Sequence, residues 1–101
     1  MKDGWFIGNF LPSALKTSSL EVAIKRHVKD EIYEAHFHKV ATEINCLITG
    51  KMKIREVIIN SGDIFTIETN EIANPIFLED CLLVVVKIPS CTEDKFFVGE
   101  K

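Results

Sequence analysis

The stretch "AHFHKVATEINCLITG", residues 35–50, holds two of the chain's three histidines one residue apart, then Glu43, and closes on Gly50. In a β-strand, residues two apart share a face and lie about 6.5–7 Å apart along the chain. His36 and His38 therefore project together, while Ala35 and Phe37 take the other side. The intervening "KVAT" is long enough to turn the chain back into a neighbouring strand. That strand opens with Glu43 and carries Asn45, Leu47 and Thr49 on the same face. Two imidazoles and one carboxylate make a three-ligand set for a divalent ion, with coordination positions left open for chemistry. The competing reading is a pair of satisfied core histidines, because an isolated H-x-H recurs by chance.

Working outward, the dominant signal is period two. In "LEVAIKRHVK", residues 20–29, Leu20, Val22, Ile24, Arg26 and Val28 fall on one face, and Glu21, Ala23, Lys25, His27 and Lys29 on the other. This alternation predicts a strand with the first face buried and the second wet, His27 being an ordinary surface residue. Further strands are expected at 32–38, 43–49, 52–59, 64–68, 72–78 and 82–88, rich in Val, Ile, Thr and Phe. Turn chemistry separates them: "ITGK", "NSGD", "ETNE" and "LED". "LPSALKTSS" reads as a loop or a single helical turn, and "VKIPSCTEDKFF" as a strand leaving through a proline with its charges solvated. Some seven short strands with regular turns predict a β-sandwich or barrel.

A chain of 101 residues is expected to form one domain, 1–101. Its net charge of −3 is small and mixed in sign, without the basic stripe that nucleic acid requires. The longest apolar run, "CLLVVVKI", is too short for a membrane span and carries Lys87. The N-terminus lacks the uninterrupted apolar region of a signal peptide, so a cytoplasmic protein is expected. Cys46, Cys81 and Cys91 form no C-x-x-C pair and read as reduced thiols.

Residues 36–50 resemble the first motif of the cupins, G-x5-H-x-H-x(3,4)-E-x6-G. His36, His38, Glu43 and Gly50 stand at the matched positions, with Asp30 in place of the leading glycine. The second motif, G-x5-P-x-G-x2-H-x3-N, is degraded. Gly62 matches, but Glu68 replaces the proline, Asn70 the glycine, Ala73 the histidine and Phe77 the asparagine. The resemblance implies an all-β double-stranded β-helix, or jelly-roll barrel, with a site for a small molecule in its mouth.

It also implies His36, His38 and Glu43 as metal ligands. Because Ala73 cannot coordinate, three alternatives stay open: three ligands suffice, Glu71 or Asn74 substitutes, or the metal has been lost. Glu34 shares the strand face of the histidines and could fix a tautomer from outside the ligand set. Asn45 could hydrogen-bond a ligand or a neighbouring backbone group. Tyr33, Phe37 and Trp5 read as packing residues.

The expected cofactor is a divalent metal (Fe, Zn, Mn or Ni), since these ligand types suit each of them. Three functions remain. One is a metal-dependent isomerase, lyase or dioxygenase acting on a small molecule, with His36 and His38 the catalytic candidates. A second is a metal-free sugar-nucleotide epimerase or ketoisomerase using lumen histidines as bases. The third is a non-catalytic ligand-binding or accessory protein. A homodimer is expected, covering apolar segments such as "WFIGNF".

Overall fold

Alternating branched and aromatic residues drive residues 2–98, the part described in this computed structural model, into eleven β-strands after a short 3-10 turn at Lys2–Gly4. In chain order these are β1 Trp5–Gly8, β2 Leu15–Lys16, β3 Glu21–His27, β4 His36–Phe37, β5 Thr42–Thr49 and β6 Lys51–Ile54. They continue as β7 Val57–Asn60, β8 Ile64–Ile67, β9 Ile76–Phe77, β10 Cys81–Ile88 and β11 Phe96–Phe97. A six-stranded sheet runs β2-β1-β3-β10-β5-β8, a three-stranded sheet β7-β6-β9, and β11 pairs with β4. Only the β1–β2 pairing is parallel among the described residues. Leu47, Ile67, Leu83 and Val85 from the large sheet meet Met52, Ile54, Ile59 and Phe77 from the smaller one in a shared core.

The turns between strands carry the expected residues. Gly50 links β5 to β6 at φ 108°, and a Cβ there would lie 2.4 Å from the carbonyl oxygen of Asp80, so no side chain fits. Asp30 and Asn70, which replace motif glycines, adopt φ 61° and 69°, the left-handed region that short polar residues tolerate best after glycine.

Several expectations are corrected. The single strand at 52–59 is a hairpin, β6 to β7, reversing at Arg55 and Glu56 with φ 47° and 65°. Two successive positive φ values are the signature of a tight hairpin turn. The strands expected at 32–38 and 72–78 shrink to β4 and β9, partly because Pro75 offers no N–H to a ladder. The segment "LPSALKTSS" contributes β2 rather than a helical turn.

The largest correction concerns β3. Glu21, Ala23, Lys25 and His27 face inward, while Ile24 and Val28 are exposed. In-register pairing aligns Glu21 with Lys87 and Lys87 with Glu43 across three strands, and Ala23 with Val85 and Val85 with Asn45 beside them. The inner face at this end of the barrel is therefore polar. The opposite face presents Val22, Ile24, Ile44, Cys46, Val84, Val86 and Ile64, partly or fully exposed. Period two was read correctly, but the polar side encloses a cavity and the apolar side lies outside.

Candidate metal centre

His36 on β4 is set by a reciprocal backbone pair with Ala73, N–H to carbonyl at 3.1 and 2.7 Å. His38 follows just beyond β4, and Glu43 stands near the start of β5. One candidate ligand atom from each of the three lies within 4.8 Å of the others, and both histidines are buried. His36 and His38 meet edge to face at 5.2 Å between ring centroids.

Both rings are fixed from behind. His36 Nδ1 lies 3.3 Å from the backbone carbonyl of Glu34, and His38 Nδ1 donates to the backbone carbonyl of Asp94. Anchoring Nδ1–H on a carbonyl leaves Nε2 as the free lone pair, the arrangement seen for metal-ligating histidines. His38 Nε2 then faces Glu43 Oε2 at 2.8 Å. A neutral His38 with its proton on Nδ1 would set a lone pair against a carboxylate oxygen. That clash is relieved by a second proton on the ring or by a cation between the two atoms. The donor set fits a divalent metal on both counts, chemistry and geometry.

Electrostatics agree. Burial disfavours the charged form of Glu43, yet the His38 ring and the Asn45 amide beside it hold its carboxyl below the ordinary glutamate range. Burial, with Lys95 nearby, pushes the His36 imidazole below its ordinary value, which keeps it neutral and able to coordinate. Tyr33, beside His36 at 5.3 Å between centroids, is pushed up to about 12 by burial and then by Glu43 and Glu31.

The other nominated residues divide. Asn45 is buried, lines the cavity and donates to Glu43 Oε1 at 3.1 Å, so it orients the carboxylate. Glu34 contributes its carbonyl, while its side chain is exposed and outside the cavity lining. Glu71 pairs with Arg55 at 3.5 Å and accepts from the Glu68 N–H at 2.7 Å, away from the cavity. Ala73 lines the cavity next to His36, where its methyl group leaves space rather than a ligand.

Four features escaped the sequence reading. His27 is not a surface residue: it lines the cavity, stacks on Phe77 at 4.3 Å, and its Nδ1 is 2.8 Å from Glu31 Oε2. The buried Lys87 and Glu21 form an ion pair at 3.2 Å inside it. Lys25 and Lys95 reach the same cavity. Asp94, in the tail expected to be solvated, is buried and accepts from the N–H groups of Lys39, Val40 and Ala41 at 2.8–3.1 Å. Alternation within β3 and the tail held the signal for the first three. The Asp94 contacts span more than fifty residues and left no local trace.

The whole cavity is about 520 Å³, within the range of small-molecule sites. By sequence, no protein-family model and no curated protein matches the chain. By structure it is similar to a double-stranded β-helix domain protein from Klebsiella pneumoniae, with TM-score 0.73, 15% identity, 86% of this chain and 76% of that one covered. It is also similar to KdgF from Halomonas sp., with TM-score 0.70, 17% identity and coverage of 76% and 74%. The fold is that of the cupins. A third similar cupin structure is the DMSP lyase DddQ from Ruegeria pomeroyi, with TM-score 0.76 and 13% identity. The match covers 91% of this chain and 48% of that one.

Proposed function

We propose that this cupin binds one divalent metal ion through His36, His38 and Glu43 and holds a small organic molecule beside it, as a metal-dependent lyase, isomerase or dioxygenase would. The observation that supports this most is the cluster itself: one ligand atom from each of His36, His38 and Glu43 lies within 4.8 Å of the others, with both Nδ1 groups set against backbone carbonyls. Three protein ligands leave positions for substrate, and a bound ion would polarise an oxygen of the substrate there. Asn45 holds Glu43 in place, and the apolar wall of Met52, Ile67 and Phe77 keeps the site dry on one side. Similarity to a DMSP lyase favours a lyase among these classes, although fold alone does not choose a reaction. Elemental analysis of untagged protein, after incubation with iron, zinc, manganese and nickel in turn, should find close to one equivalent of at least one metal. Failure to retain any of them would overturn the reading.

A metal-free reading draws on the His27–Glu31 pair, in which Glu31 orients Nδ1 and leaves Nε2 available as a base within the cavity. Turnover that persists in chelated protein and disappears in His27→Gln would favour it. The outer apolar face of the large sheet supports self-association as a homodimer, in which identical faces cover Ile24, Val84 and Ile64.

A further inference from the structure

The cavity has a second polar region that the metal ligands do not use. Three lysines line it, Lys25, Lys87 and Lys95, with no arginine. Lys87 is committed to Glu21. Lys25 donates to the backbone carbonyl of Asp3 at 2.5 Å and lies over the Trp5 ring at 5.1 Å. Lys95 lies over the rings of Tyr33 and Phe97 at 5.5 and 5.3 Å. Neither Lys25 nor Lys95 has a carboxylate within ion-pair distance among the described residues. The carboxylates facing the cavity are Asp3, Glu21 and Glu43. Glu21 serves Lys87, and Glu43 belongs to the metal centre.

We propose that the cavity selects an organic carboxylate, its anionic head held by the Lys25 and Lys95 ammonium groups and its far end directed to His36, His38 and Glu43. Lys25, half-buried, and Lys95, exposed at the rim, place two ammonium groups without ion-pair partners on the wall of one cavity, where they attract an anion. Tyr33 lies beside both groups, its ring centroid 5.3 Å from that of His36 and 5.5 Å from Lys95 Nζ. The ammonium groups also sense one another: burial, and then Lys95 and Lys87, push Lys25 downward against the opposing pull of Asp3 and Glu43. Leu83, Val85 and Phe65 add apolar lining to the same cavity, which suits a short carbon chain. Ammonium groups attract carboxylate and phosphate alike as point charges, and the phosphate arm of the titration tells the two apart. The positive balance rests on the metal reading, since a divalent ion at Glu43 leaves the lysines in excess.

Metal-loaded protein is titrated calorimetrically with malonate, succinate, glutarate and adipate, with their monoamides, and with n-butyl phosphate. At least one diacid should bind with a Kd near or below about 1 mM. Its monoamide should bind about tenfold or more weaker, as should the diacid to Lys25→Met and Lys95→Met. Metal content should stay at the wild-type level in both variants. Lys95 is exposed, so its variant reports even if loss of Lys25 perturbs the fold, and thermal melting checks each. Equal binding of diacid and monoamide, unchanged affinity in both folded lysine variants, no diacid binding at all, or tighter binding of n-butyl phosphate would each overturn the proposal. Absence of metal in the wild type would instead remove the reading on which it rests, and is read separately by elemental analysis.

Discussion

At the scale of single residues, the local part of the centre was readable and the long-range part was not. His36, His38 and Glu43 declare themselves because strand geometry fixes their directions within eight residues. Asp94 does not, because its partners Lys39, Val40 and Ala41 lie over fifty residues away. Its role is nonetheless testable. Burial would raise its pKa, but the three backbone N–H groups outweigh burial and hold it below the ordinary aspartate value. A depressed folded pKa contributes stability above the unfolded value and loses it as pH falls through the folded one. Asp94→Asn should therefore cost about 1–3 kcal/mol at pH 7 in urea unfolding, with the gap to wild type narrowing below about pH 4. A gap independent of pH would count against the assignment. His36 is likewise depressed, chiefly by burial, so metal retention should persist to a pH below the ordinary imidazole value of about 6.5. Equilibrium dialysis across pH 5–8 reads this directly, and loss already complete above about pH 7 would contradict it.

At the scale of elements, strand identity followed from alternation, whereas boundaries depended on turns with weak chemical signatures. The β6–β7 hairpin reverses at Arg-Glu instead of the Asn-Gly that marks such turns, which is why 52–59 reads as one strand. Conversely, Gly50 and Gly62, at φ 108° and 90°, mark their turns plainly. The pairing of β3 with β10 places Lys87 beside Glu21 in a buried ion pair at 3.2 Å. Removing one partner strands the other charge, so Lys87→Met should destabilise by about 3–5 kcal/mol. The double variant Lys87→Met with Glu21→Met should recover most of that loss. Denaturant melts of the two variants check it; equal stability of Lys87→Met and wild type would show that the pair carries no structural load.

For the whole molecule, the fold class was legible and the sidedness of β3 was not. A strand whose polar side faces a cavity and whose apolar side faces outward inverts the usual rule that apolar residues point in. The proposed ligand site would account for the polar inner face, and the proposed homodimer for the apolar outer one. Val84 sits in the middle of that outer face, in register with Ile24 and Cys46. Sedimentation should therefore find a dimer for the wild type and a monomer for Val84→Lys, which keeps the inner face unchanged. A wild-type monomer at tens of micromolar would contradict this assembly.

The central claim is that one metal ion sits among His36, His38 and Glu43, and anomalous diffraction from crystals loaded with cobalt or manganese tests it most directly. A single strong peak about 2.0–2.3 Å from His36 Nε2, His38 Nε2 and a Glu43 carboxylate oxygen is predicted. A metal-loaded crystal with no peak there, and His38 still bonded to Glu43 at its present distance, would contradict it.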